Sequence, residues 1–209
     1  VGASGPAALE MTVLHGIYGR GRNWGAIARH LAARRPDWRS RLVDLRLHGD
    51  SVGFAPPHTV DAAARDVLDL EHALLLSPRA VLGHSFGGKV ALAYAARTDL
   101  RPLQVWVIDS TPEARPPDGA AWNMLGILAS LPPASASGQQ AIDGLGPRGA
   151  PPAVAAWMVT NLAYVEGPYR CRLALDAVRD LLADFFRLDL WDVVEAPAGG
   201  LRLIFAKAE

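Results

Sequence analysis

The sequence predicts an α/β fold with a mostly parallel sheet that is covered by helices on both faces. Short apolar runs alternate with helical patterns through the first half of the chain, and this alternation is typical of βαβ units. In such a fold, ligand chemistry takes place at the carboxyl ends of the strands. The expected strands are 11–14, 41–45, an apolar run that begins at Arg79, and 103–108; the expected helices are 24–34, one that opens at 59–62, and 87–97.

The regular alternation ends after Asp109. Residues from about 112 to 197 are rich in Ala, Leu and Pro, show helical patterning and contain no strand-like run. We therefore expect a core in residues 1–111, a helical cap in 112–197 inserted over the strand ends, and a return to the core in 198–209. The strand pattern resumes at 201–205. Because a fold of this kind needs a further strand and helix, we expect the chain to be truncated at its C-terminus.

The composition excludes several classes of partner. The 209 residues include 21 Lys and Arg against 21 Asp and Glu, so we expect no nucleic acid partner. The single cysteine, Cys171, excludes an internal disulfide and the spacing of zinc sites. The longest uncharged run, 119–142, is interrupted by Pro, Ser, Gln and Gly, so we expect no membrane span. We expect an intracellular protein, cytoplasmic or organellar, of unspecified oligomeric state.

One segment predicts a strand that turns sharply into a helix, Arg79-Ala80-Val81-Leu82-Gly83-His84-Ser85-Phe86-Gly87-Gly88-Lys89. Its Gly-x-Ser-x-Gly pattern is typical of a nucleophile elbow, in which a serine hydroxyl is exposed above a sheet and flanking glycines let the turn close. Ser85 is therefore the candidate nucleophile. The backbone N–H of Phe86, at the helix N-terminus, is a candidate oxyanion donor. The alternative is a serine that only caps the helix.

A Gly-rich loop follows the first strand, with the sequence His15-Gly16-Ile17-Tyr18-Gly19. A loop at this position supplies the second oxyanion donor, which we expect to be the backbone N–H of Ile17. We expect His15 to shape the loop by hydrogen bonds, and His15 and Tyr18 to line the substrate site. The alternative is an ordinary Gly-rich connection. We expect no metal site at His15, His48 and His84, because no carboxylate stands at a spacing typical of metallohydrolases.

Asp109 ends the strand 103–108 and is the candidate acid, since a carboxylate there can orient a histidine. The alternative is an aspartate that caps a turn. The general base is expected last in chain order, yet no histidine follows Ser85, because the six histidines are at positions 15, 30, 48, 58, 72 and 84. We expect Asp44 and Arg46 to form an ion pair beneath the site.

With these segments assembled, the chain resembles the α/β-hydrolase superfamily, and within it the abhydrolase-domain-eleven-like esterases of bacteria and eukaryotic organelles. The matching motifs are spread over nearly the whole chain and are far more specific than the elbow alone. They are His15 to Gly19 with Asn23-Trp24, Asp44-Leu45-Arg46 with His48-Gly49-Asp50-Ser51, Gly83 to Lys89, Val107-Ile108-Asp109 with Thr111-Pro112, Thr160-Asn161-Leu162, and Tyr169-Arg170-Cys171-Arg172.

The resemblance implies that the nucleophile, the oxyanion donors and the acid lie at the positions argued above, with Asp109 as the acid. It also implies a catalytic histidine beyond the last strand, where this chain has none. The cap departs from the family at Cys171 and Ala174, where a tryptophan and an asparagine are usual. The acyl pocket is therefore expected to differ in shape.

We expect a serine esterase or thioesterase that cleaves esters of small to medium acyl groups through an acyl-enzyme on Ser85, without a metal or organic cofactor. Trp157, Met158, Leu162 and Leu173 are expected to line an apolar pocket over the serine; packing between helices is the alternative. Without its histidine the chain itself is expected to be inactive. The second hypothesis is a non-catalytic receptor for a small molecule, or an interaction module, in which the histidine has been lost.

Overall fold

The computed structural model describes residues 1–2, 9–99, 103–132, 134–158, 162–164, 168–171 and 173–207. Within these ranges the strands are β1 (Leu9–Leu14), β2 (Trp38–Val43), β3 (Ala80–His84), β4 (Leu103–Ile108), β5 (Leu162–Tyr164), β6 (Tyr169–Cys171) and β7 (Leu201–Ala206). The helices are α1 (Gly25–Arg34), α2 (Val60–Ala73), α3 (Phe86–Ala95), α4 (Gly119–Ala129), α5 (Gly138–Leu145), α6 (Pro152–Met158), α7 (Leu175–Arg187) and α8 (Trp191–Glu195). Short 3₁₀ helices lie at Gly21–Trp24 and Gly146–Arg148.

The central sheet has the strand order β2-β1-β3-β4-β7 across the described residues, and each neighbouring pair is parallel. Leu14 of β1 pairs with Gly83 of β3, and His84 of β3 pairs with Ile108 of β4. The carboxyl ends of these three strands therefore meet at one edge of the sheet. The predicted α/β fold with a parallel sheet is confirmed.

Helix α3 lies in the middle of the molecule. Each of its residues is buried, because it packs on β1, β3 and β4 and is covered by α2 and α7. A helix that carries apolar or small residues at nearly every position around its circumference is stable only when it is buried. Among the helices of the described ranges, none has the length and apolarity that a membrane span requires.

At the turn from β3 into α3, backbone atoms of the turn lie in direct contact with one another and with the backbone at the end of β1. A Cβ atom on Gly83 would lie 2.0 Å from the carbonyl oxygen of Gly87. A Cβ atom on Gly87 would lie 2.6 Å from the carbonyl oxygens of Leu14 and His15. Backbone atoms cannot rotate aside as a side chain can, so only glycine fits at either position. The Gly-x-Ser-x-Gly pattern is therefore a packing requirement of this turn.

Helix α2 begins as the sequence predicts, but the nearby ion pair differs. The Thr59 hydroxyl oxygen accepts a hydrogen bond from the N–H of Ala62 at 3.0 Å, which caps α2. The predicted pair between Asp44 and Arg46 is wrong. The Arg46 guanidinium instead donates two hydrogen bonds, of 2.6 and 2.9 Å, to the Asp66 carboxylate on α2. The chain turns after β2, which places Arg46 against α2.

The carboxylate of Asp44 has a different function in the fold. It accepts hydrogen bonds from the backbone N–H groups of Gly21 (2.6 Å) and Asp50 (3.0 Å). It therefore joins the loop that follows β1 to the loop that follows β2.

The second half of the chain is mainly helical, as expected, but two expectations about strands are corrected. β2 starts and ends earlier than the predicted 41–45. β5 and β6 form an antiparallel hairpin, with Leu162 paired to Cys171, where no strand was expected. Strands of three residues are too short to show the alternation that identifies a strand in sequence. The boundaries of the cap at 112 and 197 stay a prediction.

Lys89 joins three parts of the fold from inside the core. Its side chain is 1% exposed, and Nζ donates hydrogen bonds to the carbonyl oxygens of Glu113 (2.7 Å), Phe185 (2.6 Å) and Leu188 (2.7 Å). The last two acceptors lie at the C-terminal end of α7, where helix carbonyls lack partners within the helix and a cation is favoured. Burial lowers the pKa of Lys89 to about 8. Lys89 thus ties α3 to α7 and to the segment after β4.

We expect Lys89→Met to lower the free energy of unfolding by about 3 kcal/mol or more, because it leaves buried carbonyl oxygens without a donor. Urea unfolding followed by circular dichroism measures the change. The chain's other lysine, the exposed Lys207, provides the matched control. The free energy of unfolding of Lys207→Met should stay within about 0.5 kcal/mol of that of the original protein. Equal unfolding midpoints for the two variants would contradict the role assigned to Lys89.

Candidate active site

Ser85 occupies the turn between β3 and α3 in a conformation that few residues adopt. Its φ is 50° and its ψ is −116°, and a positive φ is strained for any residue with a side chain. The backbone is held on both sides: the Ser85 N–H donates to the Ile108 carbonyl (2.9 Å), and its carbonyl accepts from the Gly88 N–H (2.8 Å). The side chain is half-buried and lines a cavity.

The cavity above Ser85 has a volume of about 760 Å³, which is in the range typical of small-molecule sites. Its walls come from the loop after β1, the 3₁₀ helix at 21–24, the elbow, α4 and α6. Most of the lining side chains are apolar. The lining residues are His15, Gly16, Ile17, Tyr18, Gly19, Asn23, Trp24, His84, Ser85, Ala120, Ala121, Asn123, Met124, Ile127, Gly149, Pro151, Val154, Trp157 and Met158.

The pocket residues expected from the second half of the chain have different outcomes. Trp157 and Met158, at the end of α6, line the cavity. The side chain of Leu162 lies outside the described residues. Leu173 is wrongly predicted: it is 7% exposed and packs in the main hydrophobic core, away from the lining of the cavity. It precedes α7, which covers α3 instead of facing Ser85.

The peptide between Gly16 and Ile17 has a defined orientation. The Gly16 carbonyl oxygen lies 2.8 Å from Nδ1 of His15 and accepts the N–H of Gly19 at 2.9 Å. In a planar trans peptide the N–H points away from the carbonyl, so the Ile17 N–H points in the opposite direction. A Cβ atom on Gly16 would lie 2.8 Å from Nδ1 of His84. The loop therefore approaches the elbow as closely as a glycine allows.

His15 shapes the loop. Its Nε2 accepts the N–H of Leu45 at 3.0 Å, so its Nδ1 carries the proton and donates to Gly16. The pKa of His15 is lowered to about 3, mainly by burial and, to a smaller extent, by the neighbouring His48. The imidazole is therefore neutral at neutral pH, and both nitrogens are occupied by backbone partners.

Tyr18 links the loop to helix α4. The phenol oxygen donates a hydrogen bond to the Ala121 carbonyl at 2.7 Å. Burial raises the pKa of Tyr18, so the phenol stays protonated and keeps its donor. Its φ of 64° is a second strained conformation beside the cavity.

The backbone N–H of Phe86 lies at the first position of α3, where N–H groups have no partner within the helix. The Phe86 side chain points the other way, into the core, with its ring 6.2 Å from that of Phe185. The donor next to Ser85 is thus supplied by the backbone, and the side chain anchors the helix.

Asp109 follows β4 as Ser85 follows β3. Because His84 pairs with Ile108, Ser85 and Asp109 each lie one residue beyond the paired ends of two neighbouring strands. Asp109 also has a positive φ, 48°, and its side chain is exposed. Burial lowers the pKa of His84, and the charge of Asp109 opposes that shift.

Two parts of the cavity wall escaped the sequence reasoning. Asn23 and Trp24 belong to one of the motifs that the chain shares with the family, but the sequence did not predict that they line the cavity. The Trp24 ring lies 6.0 Å from that of His84. Met124 and Ile127 of α4 also line the cavity. Their spacing along an almost wholly apolar helix does not reveal which face is turned to the site.

The Ser85 hydroxyl is not hydrogen-bonded to a proton acceptor in the part of the chain that the structure describes. No histidine follows Ser85 in the sequence, and the Ser85 hydroxyl makes no hydrogen bond with another described residue. Nor do the described ranges contain a group of three or more His, Cys, Asp or Glu side chains that could hold a metal ion.

The fold and the strained serine at the elbow define a class of protein, and comparison with known proteins identifies it. A family profile described as "alpha/beta hydrolase fold" matches residues 11–129. The chain is 30% identical over 181 residues to the sn-1-specific diacylglycerol lipase ABHD11 of Mus musculus. It is 33% identical over 204 residues to the lipase LipV of Mycobacterium tuberculosis. The chain belongs to the α/β-hydrolase family.

Within that family the chain is similar to the ABHD11 lipases, as the sequence motifs predicted. The match covers 83% of this chain but only 58% of the mouse protein. For LipV the match covers 95% of this chain and 72% of the relative. A solved structure described as a marine microorganism esterase shares the fold, with a TM-score of 0.81, 20% identity, and coverage of 98% of this chain and 88% of that chain.

Acid is expected to destabilise the fold through His15. The pKa of His15 is about 3 in the folded chain, against the ordinary value of 6.5. Between these values the unfolded chain binds a proton that the folded chain excludes. The stabilisation is therefore complete above about pH 6.5 and is lost as the pH falls toward about 3. We expect the thermal unfolding temperature to decrease as the pH is lowered from about 6.5 toward about 3.

Substitution separates this effect from the titration of carboxylates. His15→Gln should weaken the dependence of the unfolding midpoint on pH between about 6.5 and 4. His30→Gln, at an exposed position of α1, should leave the dependence unchanged. The same slope for His15→Gln and His30→Gln would show that His15 does not exclude the proton.

Proposed function

We propose that the chain carries the core of a serine hydrolase that cleaves carboxylic esters or thioesters. The observation that carries the proposal is the Ser85 hydroxyl, presented at a strained strand-to-helix turn on the wall of an apolar cavity. A purely structural turn has no need of a strained serine between two sterically required glycines. The lipases and esterases among its relatives support the same reaction class.

In the proposed mechanism, the Ser85 oxygen attacks the carbonyl carbon of the ester and forms an acyl-enzyme. The backbone N–H groups of Ile17 and Phe86 stabilise the negative charge on the carbonyl oxygen. Asp109 orients and stabilises a histidine base, which takes the serine proton and passes it to the leaving alcohol or thiol. Water then attacks the acyl-enzyme, gives a proton to the same base and releases the carboxylic acid, and Ser85 regains its proton. Because no histidine of the chain follows Ser85, added imidazole takes the place of this base in the labelling experiment.

We propose an acyl group of small to medium size as the substrate class. The cavity is lined mainly by apolar side chains, among them Met124, Ile127, Trp157 and Met158, and about 760 Å³ can enclose a chain of that size. The mouse relative is named as a diacylglycerol lipase, and the acyl ester of a glycerolipid is compatible with this cavity. No metal or organic cofactor takes part in the proposed reaction.

A non-catalytic receptor for a small apolar molecule is the second candidate. The observation that favours it is the lack, among the described residues, of any hydrogen-bond partner for the Ser85 hydroxyl. A receptor would use the same cavity and would not need a base. Covalent labelling of the serine distinguishes the two candidates.

We expect an alkyl fluorophosphonate to label the chain at Ser85 slowly, and faster when imidazole is added as an external base. Without a base the serine stays protonated and is a weak nucleophile, but the oxyanion donors still contribute a residual enhancement on the order of 10³-fold over water. Mass spectrometry of the digested protein locates the label. Ser85→Ala should abolish labelling, and Ser77→Ala, at an exposed loop, should leave it unchanged. Failure of imidazole to promote labelling of Ser85 would favour the receptor.

The cavity wall should set the length of the acyl group. Ile127 of α4 lines the cavity, and Ile127→Trp fills part of its volume. We expect the ratio of labelling rates for a long and a short alkyl fluorophosphonate to fall by about 10-fold or more, the effect of one or two methylene groups. Ile27→Trp is the matched control, because Ile27 is 56% exposed on α1. An unchanged ratio in Ile127→Trp would place the acyl chain elsewhere.

A further inference from the structure

His48 is a buried histidine that the proposed reaction does not use. It lies in the loop after β2 and is fully buried. One of its hydrogen-bond partners, Tyr18, is 30 positions away in the sequence. Its Nε2 accepts the backbone N–H of Tyr18 at 3.2 Å, and its Nδ1 lies 2.8 Å from the carbonyl oxygen of Arg46.

These partners determine the tautomer of His48. A backbone N–H can only donate and a carbonyl can only accept, so Nε2 is unprotonated and Nδ1 carries the proton. Burial lowers the pKa of His48, although the charge of Asp44 acts against that shift. The ring is therefore neutral, and its acceptor stays available to Tyr18.

His15 and His48 connect the same two loops in opposite directions. His15, after β1, accepts the N–H of Leu45 after β2, and His48, after β2, accepts the N–H of Tyr18 after β1. The two rings lie 5.1 Å apart. The loop after β1 is thus fixed at two successive peptides: His15 and Gly19 bind the Gly16 carbonyl, and His48 binds the Tyr18 N–H.

We propose that His48 is a positioning residue for the oxyanion hole: by accepting the Tyr18 N–H it holds the peptide on the C-terminal side of Ile17, and so the direction of the Ile17 N–H. The inference rests on the proposed function, in which that N–H stabilises the oxyanion. Tyr18 has a positive φ of 64°, which an unsupported loop would relax. Without His48 the loop loses this hydrogen bond to the Tyr18 backbone.

Two substitutions of His48 each preserve a different one of its two hydrogen bonds. Glutamine places an acceptor oxygen near the position of Nε2, so His48→Gln can still bind the Tyr18 N–H. Asparagine places an N–H near the position of Nδ1, so His48→Asn keeps the bond to the Arg46 carbonyl and removes the Nε2 acceptor that the Tyr18 N–H uses in the original protein. Both variants lose the buried ring, which makes them a matched pair for stability.

The test measures fluorophosphonate labelling of Ser85 with imidazole present, separating the maximal rate from the half-saturating concentration. A displacement of about 1 Å, or a lost oxyanion donor, costs on the order of 100-fold in rate. We therefore expect the maximal rate of His48→Asn to fall by about 10- to 100-fold, with little change in the half-saturating concentration. His48→Gln should retain a rate within about 5-fold of the original protein. Thermal unfolding of both variants identifies any loss that is due to unfolding alone.

The outcomes separate the two proposals. If the original protein is not labelled at Ser85, the proposed function fails. If it is labelled and folded His48→Asn reacts at the same maximal rate, the inference about His48 is overturned while the function stands. Equal losses in His48→Asn and His48→Gln, in proportion to their loss of stability, also overturn it, because a merely structural role predicts them.

A measurement on the unsubstituted protein decides the matter if the variants do not fold. In ¹⁵N spectra of histidine-labelled protein at neutral pH, His48 should show an unprotonated Nε2 that is coupled to the Tyr18 amide, and a protonated Nδ1. A His48 that carries its proton on Nε2, or that shows no coupling to the Tyr18 amide, overturns the inference.

Discussion

The contact between β3 and the first turn of α3 is the constraint on which the rest of the site depends. Gly83 and Gly87 bring backbone atoms to distances at which no Cβ could be placed. The chain can make this turn only if Ser85 adopts a positive φ, and that conformation points its hydroxyl into the cavity. The strain is supported because α3 is buried along its whole length, so relaxing the turn would disturb the core.

Buried polar groups, each paired with backbone, then position the segments around the serine. Lys89 donates to three carbonyls, and His15 and His48 join the loops after β1 and β2. In an interior of low polarity such bonds are strong, and a missing partner is costly. Buried hydrogen bonds therefore tie the loops beside the cavity to the core. The proposed chemistry needs such fixed positions, because oxyanion donors act by being oriented in advance.

Local sequence patterns and the geometry of a parallel sheet explain why the placement of Ser85 and Asp109 at one edge of the sheet could be predicted. Ser85 and Asp109 each follow an apolar run, and parallel strands bring their carboxyl ends together whatever the loops do. The ion pair of Arg46 could not be found in this way, because Asp66 lies on a helix whose placement depends on the whole core. Leu173 was misplaced for a similar reason: its apolar character suits either the cavity or the core, and only the position of α7 decides.

By itself the sequence determined the elbow, the alternation of strands and helices, and the family. These depend on short-range rules: glycine where no side chain fits, and periodic burial in strands and helices. The tertiary structure alone decided which helix faces enclose the cavity, how β5 and β6 pair, and which carbonyls Lys89 binds. It also decided that His48 contacts the loop after β1. The strands β5 and β6 are near each other in the chain but too short to be recognised from a sequence pattern. The other contacts join residues far apart in the chain, and packing of the entire core sets the distances between them.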